Sequence, residues 1–420
     1  MLDLIHAAKL PFSEDLSLLR QEFTLQGKHI ANRVLYQPME GCDGNAADDS
    51  NGSPGELTRR RYQRFARGGA GIIWAEATAV VEEGRANPRQ LWLHEKNVGD
   101  FAAMAEEIKR LCYDTHGFEP LVLLQLTHSG RYSRPHGPPA PRIAYNSPVF
   151  EKDTPLPGDC IVTDDELCRL EEQFGQAAWL AEQAGFDGVD VKACHRYLLS
   201  ELLSAYTRAG DYGGSFKNRT RMLLNCVASA RARTNFIVTT RMNGYDGFEW
   251  PYGFGVREGD LTPDYTEALA LVKLLGMEMI NITIGNPYVN PNVNRPADTA
   301  LNHSIEPPME GVARILNSAA VIQQAYPDIA VVSSGLSYLR QHSANVAAGM
   351  IEQGQCAFAG FGRLSFAYPS LAADIMRGEV TAKECCIACA KCSELMRAGS
   401  TAGCVIRDKV YADIYRDVVK

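Results

Sequence analysis

Five of the chain's 12 cysteines crowd into positions 385–404, where Glu384-Cys-Cys-Ile-Ala-Cys-Ala-Lys-Cys is followed, after eleven intervening residues, by Cys404. Thiolates at the C-x2-C-x2-C spacing of Cys386, Cys389 and Cys392 can wrap three corners of an iron-sulfur cubane, and Cys404 can take the fourth iron. A structural zinc held by four cysteines is the competing reading, but its usual grammar is two separated C-x2-C knuckles rather than one triple run. A 4Fe-4S cluster is therefore preferred. Cys385 permits an alternative C-x3-C-x2-C register, and the even spacing favours Cys386 as the first ligand. Metal-binding thiolates need a reducing compartment, and the other seven cysteines are spread singly, so a cytoplasmic chain is expected.

The elements that must position such a centre are visible as near-continuous apolar runs. In order they are Arg33–Met39, Gly71–Ala77, Pro120–Leu126, Phe186–Lys192, Phe236–Arg241, Met279–Ile284, Ile329–Ser333 and Cys356–Phe361. Runs of this kind suit parallel strands covered on both faces, and helical patterns lie between most of them. The clearest helix opens on Thr163-Asp-Asp-Glu166, a capping box ahead of an amphipathic stretch. Eight strand-helix repeats give an α/β fold, a (β/α)8 TIM barrel, with a short C-terminal cysteine-rich iron-sulfur segment. The expected division is a barrel over 1–372 and a cluster-binding segment over 373–420. In such a barrel the chemistry gathers at the C-terminal strand ends and the loops after them. The Pro/Asn/Gly-rich stretches 128–148 and 285–298 are too long for plain connectors and read as site-covering loops or as disordered insertions.

Composition excludes several functions. With 420 residues, 45% hydrophobic, 22% charged and a net charge of -8 without basic clusters, the chain carries no electrostatic footprint for nucleic acid. No apolar run reaches the length of a membrane span, and no basic leader with an apolar core opens the sequence. No G-x-G-x-x-G follows a strand; the nearest string, Gly360-Phe-Gly362-Arg-Leu-Ser, lacks its third glycine. A cluster beside a core without its own dinucleotide unit implies an external electron carrier or reductase subunit. A homo-oligomer is left open.

The strings VLYQPM, GIIWAEAT, QLTHSGRYS and VDVKACHRYLLSELLSAYTRAGDYGGSFKNRTR, together with the cysteine run, resemble the Old Yellow Enzyme family of FMN-dependent oxidoreductases. Within it, the nearest branch is that of bacterial 2,4-dienoyl-CoA reductase and trimethylamine dehydrogenase. The resemblance covers residues from about 20 to 410, and the chain ends before the nucleotide-binding half of that branch. It implies FMN with a 4Fe-4S cluster nearby. Pro38, Met39 and Glu40 would run along the flavin, Ala77 would lie beside its ring, and Gln125 would bond its pyrimidine edge. Arg241 would sit near N1 and the C2 carbonyl, where a fixed cation stabilises the charge of reduced flavin. Gly335, Gly362 and Arg363 would hold the phosphate, which also matches the barrel's habit of binding phosphate after strands seven and eight. Glu40 departs from the hydroxyl or thiol common near its position; it must be protonated, turned away, or opposed to added electron density.

The resemblance puts the reaction centre at Lys192-Ala-Cys-His195-Arg-Tyr197. Two donors three apart, Lys192 and His195, would grip a substrate carbonyl or anion, and Tyr197 would move the proton. A lysine where histidine is common supplies a point charge and favours an anionic acceptor; the alternative is a lysine pointing outward with histidine and tyrosine merely packed. Cys194 reads as a small buried residue, and the string 211–219 as loop structure. Three functions follow. The first is reduction of a C=C bond conjugated to a carbonyl or carboxylate in a small-molecule substrate, with electrons entering through the cluster. The second is an amine or N-methyl dehydrogenase sending electrons outward, which Lys192 disfavours unless a carboxylate offsets it. The third is a silent electron-relay subunit.

Overall fold

The computed structural model describes residues 1–46, 51–296 and 306–419. Apolar strand residues that must escape water on both faces roll into one parallel sheet. Its strands are β3 Val34–Tyr36, β4 Ile72–Ala79, β5 Leu121–Thr127, β6 Gly188–Val191, β7 Ile237–Thr239, β8 Arg241–Tyr245, β9 Met279–Ile284, β10 Ala330–Ser333 and β11 Phe358–Phe361. They are ordered β7-β6-β5-β4-β3-β11-β10-β9-β8. The fifth expected strand is thus two pieces separated by Thr240, whose hydroxyl donates to Val191 O (2.6 Å) while its carbonyl accepts from Asn281 N (3.0 Å). That residue bonds both flanking staves and closes the ring, so nine strand pieces make the eight staves of a TIM barrel.

The barrel interior is stratified. Leu35, Ile72, Trp74, Leu121, Leu123, Ile237, Met279, Val332 and Phe358 fill the end where the strands begin. A hairpin of β1 Phe23–Leu25 and β2 Lys28–Ile30 plugs that end, with Phe23 edge-on to Phe358 at 5.0 Å. No strand pattern announces this hairpin; its turn needs Gln26 and Gly27 at positive φ, 49° and 75°. Above the plug lies a polar layer in which Gln37 and Asn281 exchange side-chain bonds and Asp190 accepts from Trp74 Nε1 and Gln125 Nε2 (3.0 and 2.5 Å). The capping box forms as expected, with Thr163 N bonded to Glu166 Oε2 at 2.7 Å and Glu166 N to Thr163 Oγ1 at 3.2 Å. It opens the helix Asp164–Gln183. Among the described residues no helix is long and apolar enough to cross a membrane.

The expected boundary at 372/373 falls inside the helix Leu371–Arg377, and the tail beyond it returns to the barrel mouth. Ala402 N donates to Gly41 O at 2.7 Å, and Thr401 Oγ1 lies 2.9 Å from the same carbonyl and 3.0 Å from Asp43 Oδ2. Asp408 holds Arg60 at 2.8 and 3.0 Å and also pairs with Arg64. Beneath these contacts Arg61, 3% exposed, pairs with Asp43 at 2.7 Å and with Glu76, which accepts the Gly41 N–H at 2.6 Å. Burial pushes the Glu76 carboxyl up to about 7, against the pull of Arg61. Removing the shared cation leaves two buried carboxylates facing each other. Arg61→Met is therefore expected to cost about 3–5 kcal/mol of stability, read as a lower urea midpoint at unchanged slope; a loss under about 1 kcal/mol would contradict the hub role of this pair.

Candidate active site

The polar layer floors a cavity at the C-terminal strand ends with an empty volume of about 1140 Å³, counting its open mouth. Its wall includes Pro38, Met39, Glu40, Gln125, Lys192, His195, Arg241, Gly335, Gly362 and Arg363, so most of the residues singled out from sequence meet in one place. Two do not reach it: Ala77 is wholly buried, and Tyr197, 1% exposed, stands behind Lys192 and Tyr288. The side chain of Gln125 is turned to Asp190 by its amide nitrogen.

The residues present fit FMN. Arg241 faces the cavity with a buried Nε that has no hydrogen-bond partner, as a guanidinium awaiting an anionic or carbonyl acceptor would. Gly335, at φ 89°, takes a left-handed turn that favours glycine, and a Cβ there would also lie 2.8 Å from Ile315, so the turn beside the cavity is specific to glycine. Ser334, Ser337 and Gly360 complete that flank. FMN would be held with its phosphate along Ser334–Gly335, Ser337 and Gly362–Arg363 and its ring toward Arg241.

The exit of β6 is strained. His195 and Arg196 take φ of 62° and 64°, a region costly for residues with a Cβ. Arg196 anchors the turn: it donates to Tyr145 Oη (2.7 Å) and Tyr252 O (2.8 Å), lies 3.5 Å from Asp246, and packs over the Phe150 ring. The same turn aims His195 into the cavity, with its backbone N–H donating to Asn243 Oδ1 at 3.3 Å. Burial and the neighbouring Arg241, Lys192 and Arg295 hold its imidazole well below the ordinary range, hence neutral.

Lys192 does not point outward. Its Nζ is 2.9 Å from Glu40 Oε1 and 3.5 Å from the centre of the Tyr197 ring. Tyr197 donates to the same carboxylate at 2.9 Å and lies 3.2 Å from the Tyr288 hydroxyl. Burial and the Glu40 charge keep the Tyr197 phenol protonated, its pKa far above the usual value. Glu40 is thus ion-paired, and Lys192 is not a free anion receptor. Tyr288 stacks on Tyr132 at 4.2 Å, and Asn286 Nδ2 donates to the Tyr132 hydroxyl at 2.8 Å. The loops after β5 and β9 therefore meet over the site, except for 297–298, which lie outside the described residues.

Cys385, Cys386, Cys389, Cys392 and Cys404 all line one small pocket beside the cavity, and Arg363, Phe366 and Cys392 belong to the walls of both. Cys386 and Cys404 accept backbone N–H bonds from Ala388 and Arg407 at 3.4 Å, whereas the Cys385 thiol donates to Thr381 O. Among the described residues no three His, Cys, Asp or Glu side chains converge on a single-ion site. His128 and Arg131 are structural: His128 Nδ1 accepts from Gly130 N, and Arg131 pairs with Glu151 and Glu201. Sequence reasoning missed Tyr288, Arg295 and Arg397, which sit in the Asn/Pro loop and the tail, where no periodicity marks an inward face.

A barrel mouth built around an unpaired arginine, a glycine-lined flank and a buried tyrosine defines a flavin-dependent oxidoreductase. The chain belongs to the NADH:flavin oxidoreductase / NADH oxidase family, whose model matches residues 19–254. It is 29% identical over 215 residues to an NADPH dehydrogenase of Clostridium acetobutylicum, an alignment covering 50% of this chain and 59% of that one. By fold it is similar to 2-naphthoyl-CoA reductase, solved with 2-naphthoyl-CoA, at TM-score 0.76 and 19% identity over 95% of this chain and 58% of that one. It is likewise similar to histamine dehydrogenase from Rhizobium sp. 4-9, at TM-score 0.71 and 20% identity over 93% of this chain and 52% of that one. The chain thus spans little more than half the length of each.

The neutral His195 has a consequence for stability. Its folded pKa lies below the unfolded value near 6.5, so the unfolded state binds the extra proton. The stability it confers is complete above about pH 6.5 and falls as the pH drops below that. His195→Gln should flatten the acid-side decline of the urea midpoint between about pH 6.5 and 5; an unchanged slope would contradict the assignment.

Proposed function

We propose that this chain uses FMN and a 4Fe-4S cluster to reduce a carbon-carbon double bond conjugated to a carbonyl or carboxylate, with electrons delivered through the cluster from an external carrier. Cys386, Cys389, Cys392 and Cys404 would hold the cluster, and the wall it would share with the cavity supports single-electron delivery across Cys392, Arg363 and Phe366. When bound, reduced FMN supplies the hydride for the β-carbon. The neutral His195 donates a hydrogen bond to the substrate carbonyl oxygen, and the neighbouring Arg241 charge stabilises the enolate that develops there. Tyr197, one layer behind the wall, then supplies the proton for the α-carbon by way of the Tyr288 hydroxyl, which lines the cavity 3.2 Å away, gives up its own proton and takes that of Tyr197. The observation that carries this reading is the state of Tyr197: burial and Glu40 keep it protonated, while the Lys192 ammonium 3.5 Å from its ring can bear the phenolate it becomes.

A second reading, oxidation of an amine with electrons leaving through the cluster, gains from Glu40. This carboxylate sits beside Tyr197 and Tyr288, with Tyr132 stacked behind, and offsets the Lys192 charge that would repel a cation. Anaerobic holoenzyme decides between them. Flavin reoxidation by an enoate after chemical reduction supports the first reading, and bleaching of the oxidised flavin by an amine supports the second.

Tyr197→Phe should slow single-turnover enoate reduction by about 10²-fold or more, measured by stopped-flow absorbance; an unchanged rate rejects Tyr197 as the proton donor. For the cluster, anaerobically purified protein should contain about four irons per chain. Cys386→Ser should lose them and Cys385→Ser should keep them, by iron and sulfide assay; the reverse pattern would assign the other register.

A further inference from the structure

Five cations line the cavity, Lys192, Arg241, Arg295, Arg363 and Arg397, and Glu40 is the one acidic side chain among the described lining residues. Glu40 is bonded to Lys192. Arg241 lies beside Asp190, whose carboxylate accepts the Arg241 backbone N–H at 2.6 Å. Arg363 belongs to the glycine and serine flank, where a phosphate monoester carrying roughly two negative charges would meet it. That leaves Arg295 and Arg397.

These two converge. Arg295 Nη2 and Arg397 Nη2 both donate to Pro287 O, at 2.7 and 3.4 Å, and Arg295 Nη1 is fixed by Ser393 Oγ at 2.7 Å. Their partners are neutral oxygens, which orient the guanidiniums without cancelling their charge. Burial, then Arg363 and Arg397, push Arg295 down to about 10, so it remains cationic at neutral pH. Both arginines line the cavity, and Arg295, whose charged neighbours include Arg363 and which helps keep His195 neutral, stands between the phosphate flank and that imidazole. Among the described residues neither guanidinium has a carboxylate partner; Arg295 is held within the wall and the exposed Arg397 reaches the same carbonyl, so together they can receive an anion.

We infer that Arg295 and Arg397 form an anion subsite that binds a carboxylate or phosphate group of the substrate, and that anion recognition in this chain rests there rather than on Lys192. This rests on the reductase reading for the identity of the ligand as substrate, but not for the binding itself.

The test is an equilibrium titration of FMN- and iron-loaded protein with 2-butenoate, its methyl ester and inorganic phosphate, followed by the flavin absorbance, in wild type, Arg295→Gln, Arg295→Lys and Arg397→Gln. The Gln variants should weaken 2-butenoate or phosphate binding by about 10- to 100-fold and leave the ester within about two-fold; Arg295→Lys should recover part of the loss. Preference for 2-butenoate over phosphate assigns the subsite to a carboxylate, and the converse to a phosphate. Equal loss for acid and ester, loss of retained FMN, loss of iron, or wild-type binding of both anions weaker than about 10 mM would each overturn the subsite. Because the titration needs no turnover, failure of the ester and acid to reoxidise reduced flavin would instead defeat the reductase reading.

Discussion

One carboxylate organises the reactive end of this barrel. Glu40 leaves the strand β3 exit and is shared between the Lys192 ammonium and the Tyr197 phenol, so a charge, a proton donor and their common acceptor are held as one unit. In water such a pair is worth little; within a largely buried wall its desolvation offsets much of the attraction, but removing either partner would strand a buried charge, so each holds the other in place. Its position is in turn dictated from outside the barrel. The next residue, Gly41, gives its N–H to Glu76 and its carbonyl to Thr401 and Ala402. The substrate wall is therefore registered against both strand β4 and the cysteine-bearing tail.

Between the two residues that grip this carboxylate, Lys192 and Tyr197, the chain makes a turn that local preferences alone would not produce. Consecutive left-handed residues at His195 and Arg196 each carry a conformational cost, offset by a guanidinium satisfied by hydroxyl, carbonyl and carboxylate oxygens and packed among aromatic rings. Strain placed at the mouth of the strand and anchored one residue away fixes where the imidazole points. The surrounding cations then fix its protonation.

Much of this was legible from residue order. The apolar runs mark every stave because parallel strands are buried on both faces, and the strand ends they define bring together ten of the flagged positions, from Pro38 to Arg363. Thr240 splits the fifth run without interrupting its hydrophobicity, since its hydroxyl serves the barrel hydrogen bonds. Less visible were features set by tertiary context. Lys192 looks like a free charge in sequence, and only the fold brings Glu40, 152 positions away, to its ammonium. Tyr288 and Arg295 lie in an Asn/Pro-rich loop and Arg397 in a short helix of the tail, where no period tells an inward side chain from an outward one. The entrance hairpin went unread because three-residue strands carry too little pattern.

The cavity wall is not contributed by the barrel alone. Ser393, Met396, Arg397 and Ala402 come from beyond the last stave, and the thiol pocket draws Arg363 and Phe366 from the barrel side. The architectural seam and the chemical seam of the molecule consequently do not coincide. A transplanted eight-stave scaffold would carry the cradle for the nucleotide yet arrive with its binding chamber missing one side, because barrel and tail wall the chamber together.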